Sequence, residues 1–136
     1  MIRHASLSAL LALGLLAACQ SSATGPGSIA TSSTSAALPT MERIAIAAQK
    51  CWFASRDAAF KPYRMANELN SYSGRPRILL VPARNPESRP LLVVHAEGTP
   101  ARLEAFGPLM ESPQGSRIAA DIRNWAHGNN ACGKAA

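Results

Sequence analysis

The chain reads as an α+β protein: a small two-layer domain in α-β-β-β-β-α order, two helices lying on one face of an antiparallel sheet. Three observations predict this. Apolar residues recur at helical spacing near 41–54 and again after Gly115, and four strand-like stretches lie between them. Two of those four, Arg77 to Val81 and Leu91 to Ala96, are apolar at successive positions, as central strands are. The folded domain is expected over 39–136.

Pro39-Thr40-Met41-Glu42 opens the first helix, with Thr40 as its cap and Glu42 where the helix dipole favours an anion. Ile44, Ala48, Cys51 and Trp52 form its inner stripe, and the helix runs from about 41 to 54. Tyr63 to Asn70 alternates with a period near two and predicts a half-buried strand, with Ser73-Gly74 as the turn after it. Between the two central strands, the segment Pro82 to Pro90 holds three prolines and cannot join a ladder. It is an exposed basic loop. Residues 99–107 admit a short helix or a fourth strand; the strand is preferred, because a central strand needs a neighbour on each side. Gly115-Ser116 starts the final helix, with Ile118, Ile122, Trp125 and Ala126 inward and Arg117, Asp121 and Arg123 outward. Gly128 ends it. Trp52 and Trp125 are expected in the core.

At the other end of the chain, Arg3 and His4 precede an apolar run from Ala5 to Ala17. Thirteen residues are too few for a membrane span, which needs about 20, but suit the core of an export signal. The run ends in Leu16-Ala17-Ala18-Cys19, which resembles the lipobox of bacterial lipoproteins. That resemblance implies cleavage after a signal peptide of residues 1–18 and an acylated Cys19, carrying palmitate-type chains, as the anchor in a membrane. In such proteins an Asp directly after the cysteine favours the inner membrane. Gln20 is not Asp, which implies an outer-membrane lipoprotein facing the periplasm. Residues 19–38 hold Ser, Thr, Ala and Gly without a charge. They are expected to form a flexible tether with an r.m.s. span of about 20–25 Å, because such a stretch has little apolar surface to offset its ordering entropy.

If Cys19 is acylated, Cys51 and Cys132 remain as a pair in an oxidising compartment. A disulfide between them would close the domain and contribute about 4–5 kcal/mol in the chain-entropy model.

The net charge is +6, with the excess in the middle of the chain. Residues 56–89 carry Arg56, Lys61, Arg64, Arg75, Arg77, Arg84 and Arg89 against Asp57, Glu68 and Glu87. Arg75, Arg77, Arg84 and Arg89 are the candidate partner-binding residues, suited to an envelope protein or to an anionic glycan or lipid. Export, and the lack of interleaved aromatics for base stacking, argue against nucleic acid. No cofactor-binding loop, metal-ligand spacing or nucleophile motif is present. A non-enzymatic interaction or structural module is therefore the primary reading. The alternative is a small envelope enzyme or enzyme inhibitor, with His95 as general base and Glu97, two residues on, as its orienting carboxylate.

The helix bearing Cys51-Trp52, the antiparallel strands, the last helix and the later Cys also resemble, as topology, the C-terminal domains of the TonB and TolA envelope proteins. That implies a domain offering a surface or sheet edge to partners. The short lipid tether, without a spanning helix, departs from that family.

Overall fold

The computed structural model describes residues 27–70 and 72–134. The expected signal peptide and Cys19 lie outside these residues. Strand β1 covers Ser28–Ser32 and helix α1 Ala37–Ala48, the latter running directly into a π-helical turn at Gln49–Ala54. A meander follows: β2 Tyr63–Glu68, β3 Arg77–Pro82, β4 Leu92–Glu97 and β5 Arg102–Phe106. A 3₁₀ turn at Pro108–Glu111 leads to helix α2, Gly115–Ala126. The sheet order is β1-β5-β4-β3-β2, with every neighbouring pair antiparallel. α1 thus carries the chain across the sheet from the β1 edge to the β2 edge.

The expected two-layer architecture, the four meander strands and the two helices are all present, and residues 102–106 are a strand. The expected tether needs correction, because part of it forms a fifth strand. Ser28 to Ser32 pairs residue by residue with Phe106 to Arg102. The strand is held by backbone bonds to β5 and by one buried apolar side chain, Ile29. Polar, Ser/Thr-rich composition does not prevent such pairing when a neighbouring strand presents a free edge. The link to α1 is stitched to the β4–β5 turn: Ser33 N–H donates to Ala101 O at 2.9 Å, Ala37 N–H to Gly98 O at 3.0 Å, and Ala101 N–H to Ser35 O at 2.8 Å.

Thr40 is not a cap. α1 begins three residues earlier, and Thr40 is fully buried inside it, donating its hydroxyl to Ser33 Oγ at 3.1 Å. The same oxygen accepts from Arg43 Nη2 at 3.3 Å. Arg43 also donates to Trp125 O at 3.1 Å and Ala126 O at 3.2 Å, so it caps the carbonyl end of α2, where a cation is favourable.

The core lies between the helices and one face of the sheet. Met41, Ile44, Ala48, Cys51 and Trp52 meet Ile118, Ile122 and Trp125 over Ile78, Leu80, Leu92, Val94 and Leu103. The π turn holds Cys51 and Trp52, both of them buried. Trp52 stacks on Phe60 with centroids 4.7 Å apart and tilts against Trp125 at 5.0 Å, so both tryptophans are core residues. Cys51 is disulfide-bonded to Cys132, with Cα atoms 5.2 Å apart.

Arg117 and Asp121, expected outward, are buried. Trp52 Nε1–H donates to Asp121 Oδ2 at 2.8 Å, and Arg117 Nη1 donates to Asp57 Oδ2 at 2.5 Å while its guanidinium lies over the Phe60 ring. Buried indole N–H and carboxylate groups need partners, and these two residues are one helical turn apart on the face that supplies them. The tail returns over this network. Trp125 Nε1–H donates to Ala131 O at 3.0 Å, and a Cβ at Gly133 would meet Asp121 Oδ1 at 2.3 Å.

Three outcomes follow from these contacts. Replacing Cys51 and Cys132 with Ser should lower unfolding free energy by about 4–5 kcal/mol, read from denaturant melts, because the bond closes a loop with a sequence separation of 81. Ser33→Ala should cost about 1–3 kcal/mol by the same measurement, since it leaves the buried Thr40 hydroxyl without its acceptor. Asp57→Asn should cost about 1.5–3 kcal/mol at neutral pH. The Arg117 hydrogen bond, followed by the Ala59 N–H, holds the Asp57 carboxyl below its ordinary range. That contribution is therefore whole above about pH 4, the unfolded value, and is lost as pH falls further. The gap between native protein and the Asn variant should narrow below about pH 4 in melts run across acid pH.

Candidate functional site

Both helices lie on one side of the sheet, so alternate residues of every strand face the open side. The register arranges them in rows. One row is Ser28, Phe106, Val93, Leu79 and Ala66, apolar but for its first member. The next is Ala30, Glu104, His95, Arg77 and Glu68, and a third brings Arg102 beside Glu97. Leu79 and Val93 therefore belong to central strands, as expected, yet no second layer among the described residues covers their outer side.

The charges on this face are matched. Arg77 Nε donates to Glu68 Oε2. Arg75 Nε and Arg102 Nη2 each lie 2.9 Å from the Glu97 carboxylate. The Arg102 hydrogen bond first, and the Arg75 charge second, hold the Glu97 carboxyl below its usual range. His95 Nε2 lies 3.0 Å from Glu104 Oε2, and its ring meets the edge of Phe106 at 5.7 Å.

His95 and Glu97 do share a face and line one open hollow with Ala30, Ser32, Arg102 and Glu104. They do not form the expected pair. Cross-strand partners sit about 5 Å apart, closer than residues two apart along one strand, so the register gives His95 to Glu104. Glu97 is taken by two guanidinium groups. An imidazole held by a carboxylate can accept or donate a proton at its other nitrogen.

The four candidate arginines are not brought together. Arg75 and Arg77 stand at the start of β3, in ion pairs. Arg84 and Arg89 are exposed on the loop at its opposite end, one strand length of about 16 Å away. Their neighbours are cations not counted among the candidates. Ala83 N–H donates to Pro62 O at 2.8 Å, Arg64 pairs in register with Val81, and Arg56 and Lys61 line one shallow hollow with Tyr63. Arg56, Lys61, Arg64, Arg84 and Arg89 form no ion pair with any described residue. Asp57, in the same segment, is engaged by Arg117. The result is a basic pole at one end of the sheet and a neutral, cross-linked face at the other.

A second surface lies between α1 and the edge strand β2. Ala45, Ile46, Ala54, Met65 and Leu69 line an apolar groove in which Ile46 is 71% exposed. Among the described residues no group of three His, Cys, Asp or Glu side chains could hold a metal ion, and no helix is long and apolar enough to cross a membrane. Set against models of known families, characterised proteins and solved structures, the chain matches none.

Proposed function

We propose that this chain is a lipid-anchored lipoprotein of a bacterial envelope, held through acylated Cys19 in the outer membrane and facing the periplasm, whose folded domain acts as a non-enzymatic interaction module. The observation that carries the reading is the Cys51–Cys132 disulfide. It consumes two of the three cysteines and is the bond expected of an oxidising compartment. Cys19 is then the odd thiol, placed directly after an apolar run of signal length.

The surface proposed to meet a partner is the basic pole, with Arg84 and Arg89 at its tip. Its cations form no ion pair among the described residues, so a ligand's anionic groups would meet them without first breaking one. Arg75 and Arg77 would have to give up Glu97 and Glu68 before serving the same role. The ligand class is an anionic one: an acidic face of an envelope protein, or an anionic glycan or lipid.

Metabolic labelling with an alkyne analogue of palmitate tests the anchor. Label should appear on the wild-type protein and be absent from Cys19→Ala, which should also leave the membrane fraction. Mass spectrometry of the native protein should show a Cys51–Cys132 linked peptide alongside the acylated N-terminus. Label retained by Cys19→Ala, or free thiols at 51 and 132, would overturn the proposal.

A further inference from the structure

Strand β1 determines where the anchored part of the chain enters the domain. Gly27 packs beside Glu111, a Cβ at Gly27 falling 2.8 Å from the Glu111 side chain. Glu111 ends the 3₁₀ turn whose Leu109 N–H donates to Leu91 O at 2.9 Å. Leu91 closes the loop that carries Arg84 and Arg89, and Leu91 N–H donates back to Leu80 O at 2.8 Å. The register says the same: Ser28, at the start of β1, shares a row with Phe106 and Val93, next to that loop, while Ser32 lies with Arg102 and Glu97 at the neutral end. The chain therefore enters at the same end of the sheet as the basic pole, on the opposite edge.

Cys19 and Gly27 are eight positions apart in the sequence. A chain of that length reaches at most about 28 Å. Five cations with no ion-pair partner among the described residues, Arg56, Lys61, Arg64, Arg84 and Arg89, outnumber Glu87 and Glu111, the carboxylates of that end, Asp57 being paired. Each cation close to an anionic bilayer surface strengthens binding roughly fivefold, an effect confined to about a Debye length, ~8 Å. A leash that leaves from the same end of the sheet as these cations lets them reach that range without the chain having to run back along the strands. An exit at the neutral end would have put the length of the sheet between the cations and the surface.

Resting on the acylated Cys19 proposed above, we infer that the basic pole docks on anionic phospholipid head groups of the same leaflet that holds the lipid anchor. Docking sets the orientation of the domain. The pole lies against the membrane, and the neutral end, with the His95–Glu104 contact and the Glu97 ion pairs, points away from it. The open sheet face and the apolar groove beside Ile46 then stand roughly upright on the bilayer, accessible from the aqueous side.

The test uses the mature acylated protein reconstituted in vesicles of phosphatidylcholine alone or with phosphatidylglycerol. Flotation with neutral vesicles reports the anchor, and hydrogen–deuterium exchange reports the docking. Amides of 61–64 and 83–91 should exchange roughly tenfold more slowly when phosphatidylglycerol is present, the effect expected of one or two cations near an anionic surface. Amides of the 98–101 turn, at the far end, should be unchanged. High salt should remove the protection, and so should Arg84→Ser with Arg89→Ser, at an unaltered melting temperature. Equal exchange in the two vesicle types, protection at 98–101 instead, or protection that persists in high salt would overturn the docking. Capture of an envelope protein that needs Arg84 and Arg89 while exchange ignores phosphatidylglycerol would also overturn it, assigning the pole to a protein partner. A protein that fails to float with neutral vesicles would overturn the Cys19 anchor itself, whatever the loop does.

Discussion

The structure depends on one junction, where the end of α1 meets α2 through Cys51 and Trp52. These neighbours in sequence must both face inward, one to reach Cys132 and the other to fill the space between Phe60 and Trp125. Both lie in the π turn that ends α1, and both are buried there. The indole N–H then requires an acceptor, which brings Asp121 inward, and Asp121 lies one helical turn from Arg117, which in turn reaches Asp57. A single local constraint thus recruits three charged residues into the interior and ties together the end of α1, the loop after it, α2 and the C-terminal tail.

The sheet is packed on one side only, and this gives the domain its surfaces. With no second layer over the outer face among the described residues, the pleat sends one set of side chains to the core and the other to the open side. Cross-strand neighbours of opposite charge neutralise the end containing Arg75, Arg77 and Arg102. At the opposite end, the prolines of the β3–β4 loop keep it out of the ladder, and the Ala83–Pro62 bond and the β2–β3 register bring its arginines to the same end as the cations of residues 56–64. The polarity of the domain therefore arises from which residues the register places side by side, not from total charge.

Much of the fold was legible in the sequence because its periods are strong. The Ile118, Ile122, Trp125 stripe marks α2, alternation marks β2, and apolar runs mark β3 and β4 as central. The inner stripe of α1 also placed Cys51 facing the domain interior. The fifth strand was not legible. Ser28 to Ser32 has little apolar pattern, and what holds it is the free edge of β5, about seventy residues away in sequence. The candidate site was legible only in part. Arg84 and Arg89 could be recognised as exposed loop cations, whereas the partners of Arg75, Arg77 and His95, and the approach of Lys61 and Arg64 to the loop, follow from register alone.

What the sequence determined by itself is the set of local choices: where the two helices and the four meander strands form, which two cysteines are joined across the domain, and where the chain turns. Those are governed by side-chain period, backbone restriction and elimination among three thiols. The tertiary structure alone decided which charges are buried, which are paired, and which end of the sheet the N-terminal segment enters. Ion pairing and strand register act between residues distant in sequence and over a few ångströms in space, so they are defined only once the chain has closed on itself.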